Sequence, residues 1–352
     1  MENKFSVKKK VVIASIAFAT LIALILCIVL PCELVKRKGK PTTEFWTNLN
    51  EYKIEDTFVL EKKAGEEFKI LNLTDVQFSD TLDVGNTKIA YSTIDLMVAE
   101  QKPNLITITG DSVWTMSTRK SMVKFVKHMD SYGIPWAPVF GNHDREGNID
   151  LNYIADMFEK AEHCLFKKGA IGLSGVGNYI INIVENGKIA QSLIMIDSHA
   201  STIDGYDFIK YDQIEWYKWA VAGATKYNNN GKIAESTLFF HIPLPEFKDA
   251  YEYWESTGFD KNIGFGKNNE DVCCSKHNTG FFEIIKNLGS TKNIVVGHDH
   301  VNNSSIMYQG VRLTYSTKTG DRCYWVKDGS MNGGTLLTLG DVLTTTHIYV
   351  KP

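Results

Sequence analysis

Short apolar runs recur along this chain, and several of them end on a polar cluster. Phe68 to Leu73 alternates apolar and polar positions and meets Thr74-Asp75. Leu105 to Thr109 is β-branched and ends in Gly110-Asp111, and Trp136 to Phe140 is apolar up to Gly141-Asn142-His143-Asp144. Runs of this length and composition predict buried strands. Between them, Ile89, Ile94, Met97 and Val98 set a helical spacing over 89–100, before Pro103. Met122, Phe125, Val126 and Met129 do the same over 117–132. Strand, helix, strand, helix, strand is the pattern of a doubly wound α/β unit, whose sites lie at the carboxyl ends of the strands.

The second half carries more strand. Tyr179 to Val184 and Leu193 to Ile196 are predicted strands, the latter ending at Asp197-Ser198-His199. Tyr211 to Ala220 reads as an aromatic-rich helix. Leu238-Phe239-Phe240 leads into His241, where Pro243 and Pro245 stop the strand, and Ile294-Val295-Val296 leads into Gly297-His298-Asp299-His300. Residues 307–349 read as short β segments, including Val311 to Ser316 and Thr335 to Leu339. No linker divides 66–352, which is expected to be one domain. Residues 31–65 are polar and read as a stalk ending in an edge strand, Thr57 to Leu60.

One apolar run is of another kind. Val11 to Leu30 is twenty residues without charge, Pro or Gly, and about 20 such residues are what a helix needs to cross a bilayer. Lys8-Lys9-Lys10 precedes it and Lys36-Arg37-Lys38 follows it. It is longer than the apolar core of a cleaved signal peptide, so residues 11–30 read as an uncleaved transmembrane signal anchor. Basic residues flank both ends about equally and the positive-inside rule barely discriminates. The short segment 1–10 before a long globular one is expected to stay cytosolic, with the domain lumenal or extracellular.

Charge and cysteine content narrow the partners. Beyond residue 40 there are 30 Lys and Arg against 39 Asp and Glu, a net charge of −9, which argues against a nucleic-acid-binding surface. Cys27 and Cys32 lie in and beside the span; Cys164, Cys273, Cys274 and Cys323 belong to the globular part, where three pairings are open. Adjacent Cys273 and Cys274 are not expected to bond each other, because a vicinal bridge is strained. Sequons start at Asn72, Asn302 and Asn303.

Five strand-end clusters bring metal-competent side chains together: Asp75-Val76-Gln77, Gly110-Asp111, Gly141-Asn142-His143-Asp144, His241, and Gly297-His298-Asp299-His300. Taken singly, Asp75 or Asp111 could cap a helix, and His241 could be a structural histidine. Together, carboxylate, amide oxygen and imidazole suit two divalent ions sharing a bridging carboxylate. Such a pair clamps a phosphate, acidifies water and steadies both oxygens of an in-line displacement.

In this order the clusters resemble the calcineurin-like metallophosphoesterase superfamily, whose pattern runs Asp-x-His, Gly-Asp, Gly-Asn-His-Asp/Glu, His, Gly-His-x-His. The match spans roughly 66–350. The stretches Gly175 to Tyr179, Leu193 to Ser198, Tyr211 to Trp219, His241 to Phe247 and Gly297 to Val301 resemble the branch related to purple acid phosphatases, which includes members labelled "probable inactive". The resemblance implies a four-layer α/β/β/α sandwich and two divalent or trivalent ions (Mn, Fe or Zn). It implies Asp75, Asp111 and His300 around metal one, and Asp111 (bridging), Asn142, His241 and His298 around metal two. His143 would contact or protonate the phosphoryl group, oriented by Asp144.

Two positions depart from the family pattern. Its first His is Gln77 here, an expected amide-oxygen ligand of metal one. Purple acid phosphatases supply a Tyr three residues after the second Asp, where this chain has Trp114, which cannot ligate. The function implied is a membrane-anchored, metal-dependent phosphoesterase acting on a phosphate-ester substrate. The alternative is a weak or inactive phosphatase-like ectodomain serving as a binding module.

Overall fold

A computed structural model describes residues 12–24, 36–79, 84–115, 117–321 and 331–351. The chain divides into two compact units, 1–37 and 38–352. In the first, α1 (12–24) is the described part of the predicted apolar span; residues 11 and 25–30 of that span, with Cys27 and Cys32, lie outside the described residues. Among the described residues no helix is long and apolar enough to cross a membrane.

The second unit begins β1 (Phe58–Glu61), β2 (Phe68–Leu73), α2 (Val84–Gln101), β3 (Leu105–Thr109), α3 (Thr118–Asp130) and β4 (Trp136–Val139), as the hydrophobic pattern predicts. Then follow α4 (Leu151–Phe158), β5 (Tyr179–Glu185), β6 (Lys188–Met195), the hairpin β7 (Ser201–Thr202) and β8 (Gly205–Tyr206), α5 (Tyr211–Asn228), β9 (Ser236–Phe239) and α6 (Glu246–Ser256). The chain closes with β10 (Gly264–Phe265), α7 (Phe281–Leu288), β11 (Thr291–Val296), β12 (Ser305–Tyr308), β13 (Val311–Tyr315), β14 (Gly333–Leu339) and β15 (Leu343–Tyr349). Helix α5 runs past its expected end, with Val221 and Ala224 buried along the extension. At Gly223 a Cβ would lie 2.1 Å from Cγ of Tyr52.

Two sheets form, ordered β15-β14-β2-β3-β4 and β1-β5-β6-β9-β11-β13-β12-β10. Successive side chains on a strand point to opposite faces, and the larger sheet sorts its apolar residues accordingly. Ile181, Leu193, Met195, Phe239 and Val295 join the core shared with β2, β3, β4, α2, α3 and α4. Their neighbours Ile180, Ile194, Leu238, Ile294 and Val296 join a second core with α5, α6 and α7. Helices, sheet, sheet and helices therefore stack in the expected four layers. Strands β2, β3 and β4 are mutually parallel, as are β6, β9, β11 and β13. Their polar carboxyl ends converge on one rim of the sandwich.

One expectation needs correction. Residues 38–57 are not a stalk: Trp46 is buried beside Leu173 and Trp216, and the Gly39 N–H donates to Asp150 Oδ1 at 2.9 Å. An aromatic residue in a polar stretch was the missed sign of docking. The loop sequons, left open by the sequence, start at Asn302 and Asn303, which are as buried as Asn72. Both amide atoms of Asn72 bond across β3, to Thr107 and Thr109. Finally, Cys164, Cys273 and Cys274 form no disulfide, and Cys323 lies outside the described residues.

Candidate metal centre

The strand ends deliver their side chains through strained backbone. Asp75, Gln77, Asp111 and His298 all have left-handed φ, between 48° and 77°, a conformation that costs an ordinary residue about 1–2 kcal/mol. Such strain persists only where the surroundings over-determine it. Here cross-loop bonds do so: Asp75 N–H donates to Gly110 O (3.1 Å), Gln77 N–H to Asp111 O (2.9 Å) and Gly297 N–H to His241 O (3.2 Å). Gly141 is not left-handed. It is a glycine because a Cβ would stand 2.1 Å from Asp111 Oδ1, and at Gly297 a Cβ would stand 1.9 Å from Thr74 Oγ1. These close approaches bring the loops of the two sheets together.

Both buried carboxylates are half tied down. Asp111 Oδ1 accepts the His143 N–H at 2.9 Å, and Asp75 Oδ2 accepts the His298 N–H at 3.0 Å. Each then points its second oxygen into the centre. Asp111 Oδ2 lies 3.3 Å from His241 Nε2, and Asp75 Oδ1 lies 3.3 Å from His300 Nε2. The His241 Nδ1–H donates to Thr109 O at 2.7 Å, which leaves the lone pair of Nε2 facing inward. Around that atom stand Asn142 Oδ1 at 3.0 Å and His298 Nδ1 at 3.3 Å.

This set fits a divalent ion. Ligands bonded at about 2.1 Å to one transition ion sit roughly 3.0–3.4 Å from each other, the spacing found around His241 Nε2. Asp75, Asp111 and His241 also offer ligand atoms within 4.8 Å of one another. Charge agrees. Burial works against a charged His241 ring, but the charges of Asp111 and Asp75 outweigh it and lift its pKa to about 10. Burial would raise Asp111, yet His241 holds it below the ordinary carboxylate range. At His298, burial and then the neighbouring His241 push the pKa down to about 3. The pocket favours positive charge at its centre and a neutral imidazole at its edge. Tyr206, on the β7–β8 hairpin, covers His298 edge-to-face with ring centroids 4.4 Å apart.

The residues expected around metal one are arranged differently. His300 Nε2 lies 3.3 Å from Asp75 Oδ1, but His300 Nδ1 is 2.9 Å from the ammonium of Lys318. Gln77 spans the two, its amide 3.2 Å from His300 Nε2 and 3.4 Å from Lys318 Nζ. A buried lysine thus stands beside both Gln77 and His300.

Asp144 does not orient His143. Its carboxylate is fully engaged by backbone, taking the N–H groups of Ser112 and Val113 on Oδ1 and of Gly141 on Oδ2. His143 opens a 3₁₀ turn, in which residues three apart share a face, so Glu146 reaches it instead. Glu146 Oε1 accepts from His143 Nδ1 and Oε2 from Trp114 Nε1, both at 2.9 Å. His143 Nε2 is left 4.0 Å from Asp111 Oδ2 at the mouth of the site. Sequence reasoning missed Glu146 and Lys318. The first follows from the i, i+3 spacing of that turn. The second lies three residues past the end of β13, a parallel strand like those bearing the recognised clusters.

Comparison with known proteins agrees with this architecture. The sequence model for calcineurin-like phosphoesterases matches residues 68–302. "Probable inactive purple acid phosphatase 29" of Arabidopsis thaliana is 28% identical over 297 residues, covering 73% of each chain. "Probable inactive purple acid phosphatase 14" of the same plant is 27% identical over 345 residues, 90% of this chain and 82% of that one. Among solved structures, a dimetal phosphatase from Danio rerio shares the fold, with a TM-score of 0.52 at 9% identity over 80% of this chain and 95% of its own.

Proposed function

The chain belongs to the calcineurin-like phosphoesterase family, and from that premise we propose that it hydrolyses phosphate esters at a metal centre. The observation carrying this reading is the gathering of Asp111 Oδ2, Asn142 Oδ1 and His298 Nδ1 around His241 Nε2, each 3.0–3.3 Å from it. A divalent ion held there supplies Lewis acidity, drawing charge from a phosphoryl oxygen and acidifying water. The protein's own groups do the rest. His143, at the mouth, is turned by Glu146 so that Nδ1–H faces the carboxylate and Nε2 faces the centre. That orientation lets Nε2 donate to a phosphoryl oxygen or pass a proton to the departing alcohol, with Glu146 steadying the imidazolium. Asp144 holds the loop of His143 against that of Asp111.

The test is turnover of a chromogenic phosphate ester by the detergent-solubilised full chain, with added Mn, Zn or Fe and again after chelation. Turnover that is lost on chelation and restored by an ion supports hydrolysis. A chain that binds the ion yet turns over nothing supports the second reading, a phosphatase-like binding module. That reading is favoured by the His300–Lys318 contact of 2.9 Å and by the "probable inactive" names of its relatives.

The proposal extends to location. Residues 11–30, uncharged throughout, would tether the domain to a membrane from the lumenal or extracellular side. Protease added outside sealed microsomes should spare the domain; digestion from the cytosolic face would reverse the orientation.

A further inference from the structure

The two halves of the centre differ in one respect that decides what they can hold. A histidine ligates through a lone pair, so its other nitrogen must carry the ring hydrogen and donate it outward. His241 does this, giving its Nδ1–H to Thr109 O. At His300 the outward nitrogen, Nδ1, meets Lys318 Nζ at 2.9 Å. An ammonium has three donors and no acceptor, so Nδ1 must accept. The ring hydrogen is then on Nε2, the atom 3.3 Å from Asp75 Oδ1. A hydrogen stands where an ion needs a lone pair. This charge-assisted contact is the stronger claim on the ring than a neutral amide at 3.2 Å.

Lys318 is held in this place by its own backbone. It is 2% exposed. The next two residues are bonded to the metal-centre strand, Thr319 N–H to Thr74 O at 2.9 Å and Gly320 N–H to Asp75 O at 3.2 Å. Gly333 N–H donates to Lys318 O at 2.9 Å from the other side. Gly320 allows this approach, because a Cβ there would lie 2.1 Å from Val76 O. The lysine also brings its charge to Asp75. Burial would raise that carboxyl, but His300, His241 and Lys318 hold it well below the ordinary range.

We propose that the Lys318 ammonium takes the place of the first metal ion, so that the folded chain holds a single divalent ion, on Asp111, Asn142, His241 and His298. The proposal rests on the metal-centre reading above and changes its stoichiometry and the role of one residue. Gln77 Oε1 then accepts from Lys318, and the positive charge beside Asp75 is built in.

The experiment is Mn(II) loading of the detergent-solubilised full chain, followed by removal of free ion, elemental analysis and electron paramagnetic resonance. One Mn per chain, with the six-line spectrum of an isolated ion, is expected. Lys318→Gln, which removes the charge at similar volume, should admit a second ion and give a spin-coupled spectrum. His300→Ala should leave the wild-type stoichiometry at one, because His300 is not a ligand; this arm stands even if Lys318→Gln fails to fold. Two ions in the wild type, or loss of the bound ion in His300→Ala, would overturn the lysine's role while leaving the metal centre intact. A folded Lys318→Gln that still holds one ion overturns it too. No bound ion in the wild type would overturn both readings.

Discussion

Glu146 and Asp144 lie two residues apart, and the structure assigns them opposite kinds of importance. Glu146→Gln keeps the shape of a side chain whose carboxylate is half-exposed but removes the charge that pairs with His143. A hydrogen bond to a charged group contributes about 1.5–3 kcal/mol against about 1 kcal/mol for a neutral one. At an exposed position the lower end applies, so the difference is about 0.5 kcal/mol. If it is expressed in the transition state, that is about a twofold loss in kcat. The ceiling is the roughly 10²–10⁴-fold expected of His143→Ala. Asp144→Asn should act on stability instead. Its carboxylate accepts three backbone N–H groups, and an amide nitrogen cannot accept, so a buried N–H loses its partner at about 1–3 kcal/mol. Both variants should be compared with wild type at pH 8. Burial and then Asp111 lift the Asp144 carboxyl to about 7, so it is charged there. Steady-state turnover, bound metal and thermal unfolding of the ion-loaded full chain separate the two effects. A fall in kcat for Asp144→Asn at unchanged Tm, with Glu146→Gln like wild type, would show that the orienting carboxylate has been misassigned.

Gly141→Ala should weaken ion binding and lower Tm together. Its Cβ, 2.1 Å from Asp111 Oδ1 and 2.5 Å from Asp111 N, forces apart the two loops at an overpacking cost of about 1–3 kcal/mol; wild-type metal content would contradict this. Asp111→Asn should abolish hydrolysis and lower bound metal, since it removes the charge nearest His241 Nε2. Undiminished turnover would refute the placement of the ion. Because Asn72, Asn302 and Asn303 are buried, treatment of the cellular protein with an N-glycosidase should leave its electrophoretic mobility unchanged, and a shift would place a glycan where the fold has no room.

Strand positions were legible wherever the apolar pattern was unbroken, as in β2, β3, β4 and β11, because burial on both faces leaves little ambiguity. The strand-end clusters were legible for a related reason: a parallel strand hands its next residues to the rim of the sheet. The short helices α4, α6 and α7 gave too few turns for their period to stand out. Side-chain partnerships were not legible at all. That Asp144 turns inward to three backbone amides, while Glu146 takes His143, depends on the 3₁₀ turn and not on residue type. Lys318 in Ser316-Thr317-Lys318-Thr319-Gly320 looks like a solvated loop lysine. Only the pairing of β13 with β11, nineteen residues earlier in the chain, brings it back to His300.

The Gln at position 77 and the lysine at 318 answer each other. An imidazole at 77 would bring a second ring to the oxygen side of Asp75, where one of its nitrogens would have to face the ammonium or the hydrogen of His300. A primary amide carries an acceptor, and Gln77 Oε1 accepts from Lys318 Nζ at 3.4 Å. The charge follows the same logic. Asp75 and Asp111 are buried like charges that repel, and neither can stay ionised in the interior without a cation beside it. On the Asp111 side the nearest ring, His241, presents a lone pair outward from a fixed carbonyl and leaves room for an ion. On the Asp75 side a lysine anchored through Thr319, Gly320 and Gly333 supplies the charge covalently. A centre so divided depends on exchangeable metal at one position and not at the other, and chelation should then remove the ion's two positive charges while that of Lys318 remains in the chain.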